Sequence, residues 1–204
     1  LLVDSGGQYL DGTTDITRTL LLGGKATPEQ KDRYTRVLKG HIALARLSFP
    51  AGWPGRSLET VARLSLWEAG LNYNHGTGHG VGRYLNVHEG PQSLHMLRCS
   101  GVALEPGNML TIEPGHYEEG SFGIRIENLY LVKLDTERGS EETPFLTFES
   151  LTLCPMDTRL IDRRLLGKED KLWLNAYHAR VQEVLTPLLG EEEQTWLARA
   201  CKAL

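Results

Sequence analysis

Acidic and histidine side chains recur in or beside apolar, strand-like stretches of this sequence. The set comprises Asp4, Asp15, His75, His79, His88, Glu113 and Glu127. Carboxylate oxygens with at least one imidazole nitrogen form a ligand set that favours Mn²⁺, Co²⁺ or Zn²⁺ and disfavours thiolate-type sites. Four carboxylate charges balance two divalent ions, and two ions ~3.5–4 Å apart can acidify a shared water and polarise the carbonyl that it attacks. These residue types therefore indicate metal-assisted hydrolysis.

Glu113 and Glu127 lie in the apolar stretches LTIEP and GIRIENLYLV, on either side of Gly120. A hairpin centred on Gly120 places the two glutamates directly opposite each other, where two ionised carboxylates repel. Either one carboxyl group is protonated or a cation lies between them. The alternative is a pair of solvent-facing glutamates, which the apolar neighbours disfavour.

The stretch LLVDSGGQYLDGTTDITRT predicts a second hairpin with its turn at Asp11-Gly12. In that register Asp15 pairs with Gln8, so Asp4 and Asp15 share a face but lie four residues apart, roughly 13 Å along a strand. A bulge or wide loop near Gly6-Gly7 would have to shorten this distance. Asp11 is assigned to the turn. A metal-binding role for Asp4 and Asp15 stays open on this pattern alone, because acids are also common at strand ends.

The histidines lie in the glycine-rich stretch NYNHGTGHGVGRYLNVHEGP, residues 72–91, which predicts a loop or a short strand. The glycines around His75 and His79 argue against a helical pair of metal ligands, and no HExxH sequence occurs. At most one of these two histidines is expected to bind metal, while the other could hydrogen-bond a substrate. A phosphate loop is disfavoured because HGTGHG lacks a GK[ST] ending.

The rest of the pattern predicts the elements that position these side chains. A capping box at Thr27-Pro28-Glu29-Gln30 begins a helix whose apolar spacing continues toward Phe49-Pro50. Ser57 is the predicted cap of a second helix that stops at Gly70. Further helices are expected at about 168–186 and 191–202, and strands at 109–112, 124–132 and 144–155. This order predicts an α+β fold, with helices packed on one face of an antiparallel sheet.

Composition is that of one globular domain. The chain has 204 residues, 40% of them hydrophobic, and a net charge of −4. No basic run suggests nucleic-acid binding, and no apolar run approaches the ~18 residues of a membrane span. Cys99, Cys154 and Cys201 are widely spaced, which favours reduced thiols in a cytosolic protein. Because the sequence begins LLVDSG, without Met and inside an apolar run, we expect it to be part of a longer chain.

Five motifs in order resemble the pita-bread metallopeptidases, and among them aminopeptidase P: VDSGGQYLDGTTDITRT, HGTGHGVG, NVHEGP, TIEPGHYEEGSFGIRIEN and LTFESLTLCP. The resemblance covers essentially the whole chain. It implies a pita-bread fold of the creatinase and methionine aminopeptidase kind, with its N-terminal part missing. It also implies a catalytic domain at 1–143 and a C-terminal strand and helical tail at 144–204 packed on the same domain.

The resemblance further implies a site and an activity. The metal ligands would be Asp4, Asp15, His79, Glu113 and Glu127, with Asp15 and Glu127 bridging two ions, most often manganese. Glu113 would act as the base, His75 and His88 would contact substrate, and Arg125 would hydrogen-bond the bridging carboxylates. The expected reaction removes an N-terminal residue that precedes proline, by attack of a hydroxide shared by the two ions. A cytoplasmic homodimer that includes the missing N-terminal part is also implied, without nucleic-acid or membrane partners.

Two alternatives remain at this stage. A non-catalytic pita-bread module would bind protein or peptide and would characteristically lack ligands, whereas all five are present here. A prolidase would cleave only dipeptides. The nine-residue gap from His79 to His88 and the long tail after Leu153 favour the larger, three-domain aminopeptidases P over prolidases.

Overall fold

The computed structural model describes residues 1–84, 86–97 and 101–204. Over these residues the chain is an α+β fold, in which a run of seven strands separates the first two helices from the last two. The strands are β1 (Leu2–Ser5), β2 (Ile16–Thr19), β3 (Phe49–Pro50), β4 (Gly78–His79), β5 (Ser93–Leu94), β6 (Met109–Ile112), β7 (Gly115–Glu118), β8 (Phe122–Arg125), β9 (Asn128–Gly139) and β10 (Pro144–Ser150). The helices are α1 (Pro28–Ala45), α2 (Glu59–Trp67), α3 (Lys168–Leu185) and α4 (Glu191–Ala200).

The main sheet is antiparallel, with strand order β3-β10-β9-β6. Three two-stranded antiparallel pairs, β1-β2, β4-β5 and β7-β8, extend from it toward one end. Isolated bridges join them to the sheet, since Thr17 of β2 pairs with Glu127 and Gly80 pairs with Leu110. The small pairs therefore cluster where β6 and β9 meet.

Two hydrophobic clusters hold the layers together. One packs α1 against α3, α4 and β8, with Leu38, Leu174 and Val181 fully buried. The other packs the end of α1 and α2 against the main sheet through Leu44, Leu110 and Val132. Helix α1 contributes to both, so its burial couples the sheet to the C-terminal helices. Each fully buried side chain of this kind stabilises the fold by about 1.5–3 kcal/mol.

Local sequence signals account for several element ends. The predicted capping box is present, because Thr27 accepts from the Gln30 backbone and Gln30 accepts from the Thr27 backbone. Helix α1 nevertheless ends at Ala45, earlier than its apolar spacing predicts. The prediction for Ser57 is wrong: it lies in a 3₁₀ turn (Gly55–Ser57), and α2 begins after Leu58 with no side-chain cap.

Two predicted strands are also revised. Residues 124–132 span β8 and β9 with a break between Arg125 and Asn128, and the strand predicted at 144–155 ends at Ser150. At the first of these points Glu127 forms an isolated bridge to Thr17 of β2. Cys154 and Cys201 are free thiols, and Cys99 lies outside the described residues. None of the helices in the described part of the chain has the length and apolar character that a membrane span requires.

Candidate metal centre

A cavity of about 440 Å³ opens where the three small strand pairs meet the main sheet. It brings together residues from every motif that the sequence singled out except the C-terminal one. Its acidic and histidine lining consists of Asp4, Asp15, His79, His88, Glu113 and Glu127. Side chains separated by more than 120 positions therefore share one small volume, as a metal site requires.

The predicted opposition of Glu113 and Glu127 agrees with the observed strand register. Ile112 pairs with Asn128 on one side of the two glutamates and Gly115 pairs with Arg125 on the other, so the register places residues 113 and 127 opposite each other. Glu127 is 1% exposed, which excludes the solvent-facing alternative for this residue. Its Oε2 accepts a 2.5 Å hydrogen bond from Thr17 Oγ1, which the sequence had not indicated as a site residue.

The first hairpin differs from its prediction in a way that favours the site. Gln8 pairs with Thr13 and Asp4 pairs with Thr17, so the turn is centred one residue earlier than Asp11-Gly12. In the observed register Asp15 faces Gly6 rather than Gln8. Asp4 is then only two residues, roughly 7 Å, from the position opposite Asp15. The same register continues without a bulge, so the bulge predicted near Gly6-Gly7 is not needed.

His79 points its Nε2 atom at two of the carboxylates. That atom lies 3.3 Å from Oε1 of Glu113 and 3.5 Å from Oδ2 of Asp15. Its Nδ1 lies 3.0 Å from the Gly80 carbonyl oxygen, which can only accept, so Nδ1 carries a proton and the neutral ring keeps an Nε2 lone pair for a ligand. One donor atom each from Asp15, His79 and Glu127 lies within 4.8 Å of the others.

The pKa shifts of the cavity residues indicate that the cavity favours a positive charge. Burial, followed by the facing Glu113 carboxylate, raises the pKa of Glu127 to about 8. Burial also raises the pKa of Glu113, despite the opposing effect of His79. Burial lowers the pKa of His79, but hydrogen bonds to Asp15 and Gly80 and the nearby carboxylates raise it above its usual value. Without a cation the cluster retains protons, and a divalent ion would replace them. The donor set therefore fits a metal.

Asp4 sits apart from the three-residue group. Its side chain is 52% exposed, and its Oδ2 accepts a 2.6 Å hydrogen bond from Nη2 of Arg125. Arg125 donates from Nε to Thr17 Oγ1, and the same Nε lies 3.9 Å from Oε2 of Glu113. It thus reaches Asp4 directly and Glu127 through Thr17, whereas the family resemblance implied direct contact with Asp15 and Glu127.

A chain of hydrogen bonds leads from Arg125 to His75. Arg125 Nη1 donates to the Tyr117 hydroxyl over 3.1 Å, and that hydroxyl lies 2.9 Å from Nε2 of His75. Nδ1 of His75 lies 2.7 Å from the Gly76 carbonyl and donates to it, so the Tyr117 hydroxyl donates to Nε2. Tyr117, like Thr17, was not predicted from the sequence as a site residue, since no motif marks a tyrosine four positions after Glu113.

His88 lies beside His79, with ring centroids 4.1 Å apart. It lines the cavity from the 86–97 segment. Of the two histidines that the resemblance associates with substrate, His88 lines the cavity, whereas His75 is linked to it through Tyr117 and Arg125. His88 is also in direct ring contact with a candidate ligand.

Sequence comparisons agree with this geometry. Residues 1–134 match metallopeptidase family M24, and residues 144–204 match the C-terminal region of peptidase M24. The chain is 49% identical to aminopeptidase P1 of Lotus japonicus over 98% of its length and 50% identical to a probable Xaa-Pro aminopeptidase P of Sclerotinia sclerotiorum over 100%. It covers 30% and 34% of those relatives, and so spans about a third of their length.

Solved structures show the same fold. X-prolyl aminopeptidase from Caenorhabditis elegans, described as a cytosolic enzyme with a di-nuclear active site, superposes with a TM-score of 0.92 at 47% identity. The match covers all of this chain and 33% of that one. A prolidase from Pyrococcus horikoshii matches with a TM-score of 0.63 at 30% identity, over 76% of this chain and 40% of its own. With a pita-bread fold, the acidic cavity and both sequence matches, the chain belongs to metallopeptidase family M24.

Proposed function

We propose that this chain carries the catalytic site of a metal-dependent Xaa-Pro aminopeptidase, which releases the N-terminal residue of peptides whose second residue is proline. One observation carries the proposal: Asp15, His79 and Glu127 place one donor atom each within 4.8 Å of one another. The names of its relatives at about 50% identity support the substrate class. Because the chain spans only a third of those relatives, the activity is proposed for the whole protein.

Asp4, Asp15, His79, Glu113 and Glu127 would hold two divalent ions. Four carboxylates and one imidazole suit manganese, with zinc and cobalt as alternatives. When bound, a pair of such ions acidifies water and polarises the substrate carbonyl. Asp15 and Glu127 lie deepest, at 8% and 1% exposure, which suits carboxylates shared between ions. Asp4, at the rim, also suits contact with a free N-terminal amine.

The remaining residues position the substrate and move a proton. Glu113 has a raised pKa because it is buried, so it can take up a proton and return it to the leaving nitrogen. His88, beside His79, would steady the developing oxyanion, and His75, with Nε2 held by Tyr117, would contact the proline side. Arg125 holds Asp4 and Tyr117 in place through hydrogen bonds, and its positive charge offsets the Asp4 carboxylate at the rim of the cavity.

Two substitutions test the assignment in the full-length protein. Glu127→Gln and Asp15→Asn should each reduce bound metal and lower kcat/KM for an Xaa-Pro-Xaa tripeptide by at least ~100-fold. Glu119→Gln, an exposed glutamate in the β7-β8 turn, is the matched control and should behave as wild type. Wild-type turnover in either cavity variant would exclude the site. An Xaa-Pro dipeptide assayed in parallel separates this activity from that of a prolidase.

We further propose that the protein is a cytoplasmic homodimer and that an N-terminal part of the same enzyme completes the site. The cytosolic description of the Caenorhabditis elegans relative supports the cytoplasmic location, and the length of the relatives supports the N-terminal part; the homodimer follows from the family resemblance alone. Residues 1–143 would form the catalytic part and 144–204 a C-terminal part packed on it. Arg18 supports that packing, because its guanidinium donates to the carbonyls of Cys154, Pro155 and Glu127.

A further inference from the structure

A buried ion pair on α2 lies behind the loop that carries His75. Glu59 has no exposed surface and Arg63 is 8% exposed. Nε of Arg63 donates to Oε1 of Glu59 over 3.1 Å, and Nη2 donates to the same oxygen. A buried pair commonly adds little net stability over an apolar replacement, because desolvation offsets the attraction. The other contacts of Glu59 and Arg63 indicate the role of this ion pair.

The remaining N–H donors of the Arg63 guanidinium all bond to residues of the 72–75 segment. Nη1 donates to Oδ1 of Asn72 over 2.9 Å and to the Tyr73 carbonyl over 2.7 Å. Nη2 donates to the His75 carbonyl over 2.6 Å. Counting the two bonds to Glu59, all five N–H donors of a rigid, planar group are engaged. Lysine, a point charge with three donors on a flexible stem, cannot reproduce this pattern.

Glu59 holds the far end of the same loop. Its Oε1 accepts a 3.2 Å hydrogen bond from Thr77 Oγ1, and its Oε2 accepts from the Met96 backbone. Thr77 in turn lies 2.5 Å from the Tyr73 hydroxyl, and its carbonyl accepts a 2.6 Å bond from the Glu113 backbone. The Glu59–Arg63 pair therefore holds residues 72–77 through hydrogen bonds, and the backbone of Glu113, directly after β6, holds Thr77 as well.

Aromatic rings continue this contact to the imidazole itself. The Arg63 guanidinium carbon lies 3.8 Å from the centre of the Tyr73 ring, a cation–π distance. The Tyr73 ring centre lies 4.8 Å from that of His75. His75 is thus fixed through its carbonyl by Arg63, through one ring face by Tyr73 and at Nε2 by Tyr117.

We propose that Arg63, held by Glu59, is a positioning residue that aims His75 at the substrate. This inference rests on the proposed function, in which His75 contacts the peptide. The described contacts of Arg63 include none of the five candidate metal ligands. Loss of the hydrogen bonds of the Arg63 guanidinium should therefore lower kcat/KM while the metal ions stay bound. A shift of about 1 Å in a substrate-contacting group can cost on the order of a hundredfold in rate.

Arg63→Lys in the full-length protein tests the proposal, since it keeps a charge opposite Glu59. We expect kcat/KM for an Xaa-Pro-Xaa tripeptide to fall roughly 10- to 100-fold, with wild-type metal stoichiometry by elemental analysis. In a His75→Ala background the same substitution should change kcat/KM less than ~2-fold, since the group it positions is absent. An equal loss in both backgrounds would show a structural role only and overturn the proposal.

Two further variants keep the test decisive. Tyr73→Leu retains the ion pair but removes the ring between guanidinium and imidazole. It should also lower kcat/KM, and again only when His75 is present. If Arg63→Lys does not fold, the result for Tyr73→Leu decides. Arg36→Lys is the matched control: Arg36 on α1 pairs with Asp32 four positions earlier and donates to the Ser65 carbonyl, away from the cavity. Wild-type activity in a folded Arg63→Lys, or in Tyr73→Leu if Arg63→Lys does not fold, would overturn the positioning role, whereas an inactive wild type would instead refute the proposed function.

Discussion

Thr17 Oγ1 donates a 2.5 Å hydrogen bond to Oε2 of Glu127, a residue 110 positions away. The Glu127 backbone N–H donates to the Thr17 carbonyl over 3.1 Å, so the two residues are joined by both main chain and side chain. Thr17 Oγ1 also accepts from Nε of Arg125. One small, fully buried hydroxyl thus aligns the first hairpin, the deepest carboxylate and the arginine of the cavity.

Thr17→Val should weaken metal binding. Valine keeps the shape of threonine but leaves Oε2 of Glu127 and Nε of Arg125 without this partner. Loss of an outer hydrogen bond to a metal ligand typically costs 10- to 100-fold in metal affinity, and we expect about 1–3 kcal/mol of stability to be lost with it. Metal titration by calorimetry would measure the first effect and urea unfolding the second.

Thr147→Val is the control for that variant. Thr147 lies in β10 and donates to the Leu47 carbonyl over 3.2 Å, far from the cavity. Its substitution should leave metal affinity unchanged. Equal metal affinity in wild type and Thr17→Val would contradict the role given to the Thr17 hydroxyl.

The stability that the metal-free protein gains from the Glu127 carboxyl group should fall as pH rises from about 4.5 to 8. Burial and the facing Glu113 raise the pKa of Glu127 to about 8, so over this range the folded state binds more protons than the unfolded state. Stability from the protonated carboxyl is present at low pH and is lost as pH passes the folded-state pKa. Metal replaces the proton, so stabilisation by Mn²⁺ should increase with pH.

Thermal melts at pH 5, 6.5 and 8, with chelator and with Mn²⁺, measure this linkage. The difference in Tm between the two conditions should widen toward pH 8. The Tm of metal-free Glu127→Gln should fall less, or rise more, between pH 5 and pH 8 than that of the metal-free wild type. Parallel curves with and without metal in the wild type would refute proton displacement at this cluster.

Acid below pH 6.5 should destabilise the fold through His41. His41 is fully buried, with one ring nitrogen donating to the Ile126 carbonyl and the other accepting from the Tyr130 hydroxyl. Burial, assisted by the charge of Arg18, lowers the pKa of His41 to about 3. Between pH 6.5 and 3 the unfolded state binds the extra proton, so the contribution of His41 to stability falls with decreasing pH by about 1.4 kcal/mol per unit.

Urea unfolding of metal-free protein at pH 6.5 and pH 5 checks this effect, with His41→Gln as the comparison. The variant should be less stable at pH 6.5 but should lose roughly 2 kcal/mol less than wild type on going to pH 5. His178, whose pKa burial lowers to about 4, should retain its own contribution, of similar size over this range, in both proteins. An identical pH response in the two proteins would show that His41 is not responsible.

Gly78→Ala should displace His79. A Cβ atom at Gly78 would collide with the backbone carbonyl of Thr111 in β6, which cannot move without shifting the strand. Overpacking of this kind costs about 1–3 kcal/mol, and metal affinity should fall with it because His79 is the next residue. Gly12→Ala is the control, since a Cβ there meets nothing within 4 Å. Wild-type stability and metal binding in Gly78→Ala would contradict the close approach of β4 to β6.

Sequence signals were sufficient where the partners lie within a few residues and no other contact competes with them. The capping box at Thr27 and Gln30 forms as predicted because both partners lie within one helical turn. The register around Gly120 follows from the strand pattern on either side of one turn, and it placed Glu113 opposite Glu127. The five-residue ligand set came from motif resemblance, and the structure gathers all of its members around one cavity.

Tertiary structure decided what depends on contacts across the chain. A turn one residue earlier than predicted brings Asp4 toward Asp15, because pairing along β1 and β2 and the bridge to Glu127 outweigh the local preference of Asp11-Gly12. Ser57 does not cap α2, since a 3₁₀ turn takes its place. Thr17, Tyr117 and Arg63 act through partners 110, 42 and 12 positions away. Hydrogen bonds over such distances leave no periodic trace in a single sequence, because only folding brings their donors and acceptors together.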